Sequence, residues 1–322
     1  MQIEKMSRAL IVAATVCVQL PTASAQEWPT KPVRIIESFP AGIARDHRTR
    51  VIADKLSALL GQQVFVDNRP GAAGRIAGQV AVSAQPDGYT FNMMGTTDLL
   101  TQHLYNLPYN LERDLVPITT IEQLPGAMVV RATLSAKTVA DVVSYAKAHP
   151  GELTYGSTGA GGWLHVSALL FSSLTGSKLK HIPYGQGNLN SDLLGGHIDM
   201  VFDAAPPYLE NIRARNLRVL AVTGEQRSSE LPDVPTFFES GWPAYDVYAL
   251  YGMFAPKGTP QSIMTKMQQA IAQVLREPEL RRRWISEGGN PVASTSAEFA
   301  ARIQSESERW GKIIRVNNLK FE

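Results

Sequence analysis

The stretch Val33-Arg34-Ile35-Ile36-Glu37-Ser38-Phe39-Pro40-Ala41-Gly42-Ile43-Ala44-Arg45-Asp46 joins a β-branched run to a helical pattern. Val33-Arg34-Ile35-Ile36 reads as a strand, and Gly42 permits a tight turn through backbone angles closed to other residues. Beyond it Ile52, Leu56, Leu59 and Leu60 recur at helical spacing and stop at Gly61, where a C-cap is expected. A helix that starts on such a turn leaves its first N–H groups unpaired, which makes a natural seat for an anion. Yet Arg45, His47, Arg48 and Arg50 crowd the end of the helix where the dipole favours negative charge. Two readings stay open: a solvated charged face, or cations offset by an anion.

The same pattern continues outward. Gln63-Val64-Phe65-Val66 reads as a second strand ending in the turn cluster 67–71, a small-residue helix is expected over about 73–84, and Tyr89 to Met94 forms a third strand that breaks at Gly95-Thr96-Thr97. Strand, helix, strand, helix, strand implies a parallel sheet covered by helices, whose ligands sit beyond the carboxyl ends of the strands. The second half repeats the architecture. A helix ends near His149-Pro150-Gly151, and Leu153-Thr154-Tyr155 runs into Gly156-Ser157-Thr158-Gly159-Ala160-Gly161-Gly162, a second glycine-rich turn before a helix with Val166, Leu169, Leu170 and Leu174 on one face. Further strands are expected around 180–184, 198–202 and 217–222, with a short helix over 190–194. A strand over 249–255 precedes three helices, 263–276, 277–287 and 296–316, which are expected to pack on the first unit.

Lys5 and Arg8 precede the apolar run from Ala9 to Leu20, and Ala23-Ser24-Ala25 offers a cleavage site, so residues 1–25 read as an export signal. The run is shorter than the roughly 20 residues needed to span a bilayer. The single cysteine, Cys17, falls inside that segment, and Val16 before it argues against lipid attachment. Cleavage after Ala25 leaves no disulfide, thiolate nucleophile or cysteine-bound metal. It also removes Glu4, Lys5 and Arg8, taking the formal charge from +2 to +1, a balance unlike that of a nucleic-acid binder. The remaining 297 of 322 residues exceed one usual core and suggest two domains.

Several stretches, in order along the chain, carry a family likeness: Trp28-Pro29-Thr30-Lys31-Pro32, Phe39-Pro40-Ala41-Gly42, Asn68-Arg69-Pro70-Gly71-Ala72, Pro86-Asp87-Gly88-Tyr89-Thr90, Pro183-Tyr184, Asp192-Leu193-Leu194-Gly195-Gly196-His197-Ile198-Asp199, Phe202-Asp203 and Leu231-Pro232-Asp233-Val234-Pro235-Thr236. Together they resemble the Bug or TctC-like family, the extracytoplasmic solute receptors of tripartite tricarboxylate transporters. The resemblance implies an α/β, two-domain periplasmic binding protein, a type II-like clamshell of two mainly parallel sheets flanked by helices. Its expected units are 26–126 plus 252–322, and 127–251. A monomer in the periplasm is expected to close on a small carboxylate and deliver it to integral membrane transporter subunits, with no cofactor, no metal and no catalytic residue.

The ligand-binding residues so implied are Phe39, Ala41, Gly42, Ile43, Ala44, Arg45 and Asp46 in the first turn, Thr96 and Thr97 after the third strand, Ser157, Thr158, Gly161, Trp163, His165 and Tyr184 in the second unit, and Asp203. The sequence departs from the family pattern where Ile43 and Arg45 replace a glycine and a threonine, where Gln102-His103 stands in place of Asn-Pro, and where Ala204 replaces an asparagine. A guanidinium at position 45 can grip a carboxylate in two places, and a ring at Trp163 can offer an apolar surface. A di- or aromatic carboxylate is the favoured ligand, and if both side chains face the cleft an aromatic or longer aliphatic carboxylate suits the site better than a small amino acid.

An enzyme fits less well. No G-x-S-x-G elbow, phosphate-binding loop or dinucleotide fingerprint occurs, and His47, His103, His149, His165, His181 and His197 show no metal-ligand spacing. Asp46 and Asp203 could pair as acid and base from opposite units, but a helix-capping carboxylate and a loop-orienting one suit them better. A receptor that feeds a membrane sensor kinase needs the same clamshell and remains an alternative to uptake.

Overall fold

The computed structural model describes residues 27–184 and 189–319. The expected signal segment, Cys17 and the cleavage after Ala25 lie outside the described residues. The elements in order are β1 Val33–Glu37, α1 Ala44–Leu60, β2 Val64–Asn68, α2 Arg75–Val82, β3 Thr90–Gly95, α3 Thr96–Leu104, α4 Leu111–Asp114 and β4 Leu115–Arg131. There follow α5 Val139–Ala148, β5 Thr154–Ser157, α6 Trp163–Thr175, β6 Lys180–Pro183, α7 Leu189–Leu194, β7 Met200–Ala204, α8 Leu209–Arg213 and β8 Leu217–Val222. The chain closes with β9 Tyr248–Pro256, α9 Gln261–Leu275, α10 Pro278–Ser286 and α11 Ser296–Val316.

The strand order is β2-β1-β3-β9-β4-β7-β5-β6, with β8 also on β4. β1 pairs in parallel with β2 and β3, and β5 in parallel with β6 and β7, as the alternating pattern predicts. The organising strand is β4. Its first part, through Pro125, runs antiparallel to β9, and from Gly126 onward it pairs antiparallel with β7 and β8. One strand thereby belongs to a first sheet and then to a second, each sheet with its helices forming one lobe. Its 17 residues carry Pro117, Pro125 and Gly126, residues that read as strand breakers, and the sequence reading places no strand there.

The chain returns to the first lobe just before β9, and the two crossings touch. Gly126 N–H lies 3.0 Å from Val247 O and 2.8 Å from Thr223 Oγ1, and the Thr223 hydroxyl donates to Val247 O at 2.6 Å. A side chain at position 126 would press on Val247 Cγ2 at 2.7 Å, so glycine is required there by close approach.

Three apolar cores hold the layers. Val33, Ile35, Ile52, Leu56 and Phe91 pack with Met267, Ile271 and Trp284 of α9 and α10 on one face of the first sheet. Ile36, Met94, Leu99, Phe254, Phe299 and Ile303 fill the other face. Phe171, Phe202, Phe237, Tyr245 and the β4 residues Met128 to Val130 form the core of the second lobe. Leu59 and Leu174, expected on buried faces, are about 40% exposed, because each lies near the outer end of its helix. Among the described residues no helix is long and apolar enough to cross a membrane.

The closing helices do not all stay with the first lobe. α9 and α10 do, but α11 places Phe299 in a first-lobe core and Trp310, Ile313 and Ile314 in the second-lobe core. Trp310 is fully buried, and its indole N–H donates to Glu306 at 2.7 Å. Trp310→Ala should therefore cost about 3–5 kcal/mol in urea unfolding; a loss under about 1 kcal/mol would place this end of α11 outside the core.

Candidate functional site

The first glycine-rich turn follows β1. Gly42 has φ of +90°, and Ile43, in extended conformation, is the N-cap of α1. Ala41, Gly42 and Ile43 are exposed, and Ala44 opens the helix. The N–H of Gly42 is not left for a ligand: it donates to Asp46 Oδ2 at 2.9 Å. Arg50 Nε donates to the same oxygen at 3.0 Å and Asn68 Nδ2 to Asp46 Oδ1 at 2.8 Å. Burial opposes ionisation of Asp46, but these hydrogen bonds outweigh it and hold its pKa below the usual carboxylate value. The anion that the cations at this helix end call for is thus supplied internally.

Arg45 is likewise answered from within, and at 8% exposure it is no solvated charge. Its Nε lies 3.0 Å from Glu37 Oε1 and its Nη1 3.6 Å from Asp98 Oδ2, as ion pairs outside hydrogen-bond geometry. Nη2 donates to Met93 O at 2.7 Å. The guanidinium carbon is 4.6 Å from the centroid of Phe39 and 4.8 Å from that of Tyr251, so two rings flank the cation. Glu37 accepts from Thr49 Oγ1 at 2.9 Å, and burial raises its pKa against the pull of Arg45. Arg48 pairs with Glu122 and lies over Trp284. His47 and Arg50 alone among these residues keep an exposed position.

Thr96 caps the junction of α3 with β9: its hydroxyl lies 3.3 Å from Tyr248 O and accepts from Leu250 N–H at 3.0 Å. It is buried, and Thr97 is half-buried. Asp98, two residues on, accepts from Gly95 N–H at 2.9 Å and closes the N-terminus of α3.

The second turn repeats the first in geometry. Gly161 has φ of +79°, Gly162 is an extended N-cap, and α6 follows. The N–H of Gly161 donates to His165 Nδ1 at 2.9 Å, four residues on, as Gly42 does to Asp46. That bond leaves the His165 proton on Nε2. His165 stacks on His181, centroids 4.0 Å apart and planes at 8°; burial first and His181 second push its pKa down to about 4. His181 Nε2 lies 2.7 Å from Ser157 Oγ, which is within 3.1 Å of both Gly159 N and Gly159 O. Thr158 is exposed, and Tyr184 N–H donates to Ser157 O at 2.9 Å. Trp163 packs in the second-lobe core at 6% exposure, and its Nε1 has no hydrogen-bond partner. Neither it nor Arg45 supplies the open guanidinium and accessible ring on which a preference for aromatic or longer aliphatic carboxylates rests.

Asp203 closes the seam from the second lobe. Its Oδ1 accepts from Ala204 N–H at 2.8 Å and its Oδ2 from Tyr208 OH at 2.9 Å, and burial raises its pKa to about 6. Among the described residues it has no cationic partner within ion-pair distance. Burial raises the pKa of the Tyr251 phenol, with lesser influence from the charges of Arg45, Asp203, Arg48 and Glu37. Sequence reasoning passes over Tyr251, Glu37 and Asp98. Tyr251 is hidden in the apolar run of β9, and the carboxylates become visible only as partners of Arg45.

Asp46 and Asp203 do not form an acid and base pair, since each is committed to its own lobe's backbone and side chains. Among the described residues no cluster of three or more His, Cys, Asp or Glu is arranged to hold a metal ion. The two described cavities lie elsewhere: about 220 Å³ beside Arg131, Tyr145 and Asp199, and a smaller one beside Pro125 and Gly288. Arg45→Ala would strand Glu37 and Asp98 in the interior. We expect it to cost about 3–5 kcal/mol in denaturant unfolding of the ligand-free protein, where a cation held out for ligand alone would cost little.

A family model described as the tripartite tricarboxylate transporter family receptor, TctC, matches residues 48–319, a range that begins just after the first turn. The chain is 32% identical over 316 residues to Protein BugT of Bordetella pertussis, covering 97% of each. Among solved structures it superposes with a TM-score of 0.78 on Rpa4515 of R. palustris, solved with adipate, at 31% identity over 90% of this chain and 98% of that one. It superposes with a TM-score of 0.76 on MatC of Rhodopseudomonas palustris, solved with bound malate, at 26% identity over 89% of this chain and 100% of that one. The paired turns, the strand shared by two sheets and these likenesses lead to one conclusion: the chain belongs to the TctC, or Bug, family of periplasmic solute receptors, transport proteins and not enzymes, with a periplasmic binding protein fold.

Proposed function

We propose that this receptor captures a small carboxylate between its lobes, closes on it about the β4 and β9 crossings, and delivers it to the membrane subunits of a tripartite transporter. The observation that carries this reading is the pair of matching turns, each a positive-φ glycine, an extended N-cap and a helix N-terminus at the carboxyl end of a strand. Such ends favour anions; at the first, Asp46 already fills part of that place, and at the second no carboxylate stands in the first turn of the helix. The relatives solved with adipate and malate support a carboxylate as the class. Ligand touching both lobes binds the closed form better and shifts the population toward it.

The same proposal assigns contact with the ligand to residues around Phe39, Ala41, Gly42, Ile43 and Ala44 in one jaw, Thr97 at the seam, and Ser157, Thr158, Gly161 and Tyr184 in the other. Arg45, Asp46, Thr96, Trp163, His165 and Asp203 shape those surfaces from behind. It also takes the functional unit as a monomer exported after cleavage at Ala25, with units 26–126 plus 252–322 and 127–251, to which α11 adds a brace across the division.

A thermal-shift screen of carboxylates on the mature protein tests the reading. A ligand at about a hundred times its Kd stabilises by about 2.7 kcal/mol, which for a protein of this size raises Tm by about 2–4 °C; no shift with any carboxylate would refute the reading. Affinity should also depend on Asp203. With its pKa near 6, it is mostly charged at pH 7.5 and mostly neutral at pH 5.5, so carboxylate binding should tighten as pH falls between those values. Asp203→Asn should bind more tightly at pH 7.5 and lose that slope in titration calorimetry.

A further inference from the structure

The second turn is loose by composition. Residues 156, 159, 161 and 162 are glycine, and Gly159 and Gly161 hold positive φ. Such a backbone has more freedom to lose on being ordered than any other. Among the described residues two side chains bind it. The hydroxyl of Ser157, a fully buried residue, donates to Gly159 O at 3.0 Å and accepts from Gly159 N–H at 3.1 Å. His165 Nδ1 accepts from Gly161 N–H at 2.9 Å, with the spacing and length that Asp46 shows toward Gly42 in the first turn. Ser157 is held in its turn by His181. Because the Ser157 proton goes to Gly159 O, the 2.7 Å contact between the two has His181 Nε2–H as donor.

The two imidazoles are one unit, although α6 carries His165 and β6 carries His181. They lie face to face with centroids 4.0 Å apart, and Tyr155 of β5 stacks against His181 at 5.0 Å. Burial lowers both pKa values, with His181 adding to the effect on His165; among the described residues no carboxylate or cation shifts either ring. At neutral pH His165 is therefore uncharged, the form in which Nδ1 can accept.

We propose, resting on the carboxylate-receptor reading above, that the stacked pair His165 and His181 are positioning residues for ligand capture: by holding Gly161 N–H and Ser157 Oγ they keep the glycine turn in the shape the ligand meets. Neither ring touches the ligand in this scheme. Without them the turn samples many backbone states, and affinity falls by the fraction of time the binding shape is populated. A proton on His165 Nδ1 acts in the same direction, because that nitrogen can then no longer accept from Gly161.

The test uses the fact that an asparagine amide reproduces the acceptor at Nδ1 and a glutamine amide the donor at Nε2. Each histidine thus has one variant that keeps its bond and one that loses it. The mature protein is titrated by calorimetry at pH 7.5 with adipate and malate, the compounds present in two solved relatives. His165→Leu and His181→Leu should each weaken binding about tenfold, the worth of one hydrogen bond, and His165→Asn and His181→Gln should recover most of that loss. Where a leucine variant does not fold, the mismatched amides His165→Gln and His181→Asn take its place with the same expected loss. Two readouts need no ligand: nitrogen-15 spectra should place the proton of both rings on Nε2, and hydrogen exchange at Gly159 and Gly161 should quicken about tenfold only in variants that lose a bond. A proton on His165 Nδ1 at neutral pH, equal loss in matched and mismatched variants, or unchanged exchange in the variants that lose a bond overturns the inference and leaves the receptor reading standing. Wild-type protein that binds no carboxylate at all overturns the receptor reading itself.

Discussion

The structure depends on a few atoms where the chain passes twice between its sheets. Gly126 N–H sits between Val247 O and Thr223 Oγ1, and the Thr223 hydroxyl returns a bond to Val247 O. The two crossings are thereby held side by side, bridged by the Thr223 hydroxyl and with no side chain at position 126 to part them. Because β4 is one continuous strand through this point, relative motion of the sheets is confined to bending and twisting about a narrow axis. The carboxyl ends of β1 and β5, and with them the two glycine turns, belong one to each sheet. The proposed capture of ligand between the lobes draws on this arrangement rather than on any particular side chain.

Electrostatics inside the first lobe follows a different rule from the one its sequence suggests. Four basic residues at a helix N-terminus look like an open invitation to an anion, yet three of the four charges that matter are matched by carboxylates of the same chain: Asp46 with Arg50, Glu37 and Asp98 with Arg45, Glu122 with Arg48. Buried pairs of this kind contribute little net stability compared with apolar packing, but losing one partner is costly. They fix shape and charge rather than supply binding energy.

Much of the fold is legible from the sequence because its determinants are local. Periodicity and turn chemistry give β1, α1, β2, β3, the glycine turn after β5 and the three closing helices to within a few residues. What escapes is non-local. β4 contains two prolines and a glycine that argue against a strand, and it persists because Pro117 falls at a register irregularity and Pro125 at the change of partners. The split allegiance of α11 cannot be read from an amphipathic face, since Phe299 and Trp310 belong to one stripe but to two cores. Around the site, the turn glycines and Asp203 are visible in the sequence, while the burial of Arg45 and Trp163 is set by Asp98, Tyr251 and the second-lobe core, remote in the chain, together with the nearby Glu37.

The position of β9 has a consequence for the order of folding. It lies between β3 and β4 in the first sheet, although about 150 residues separate it from β3. A chain that emerges N-terminus first therefore holds β1, β2 and β3 as an open sheet while the strands of the second lobe are made and paired. The last helix of the chain is α11, whose Trp310 completes the second core. Pairings of such long range are slow to form, and the exposed edge of β3 in the interval is a surface on which strands of other chains can add.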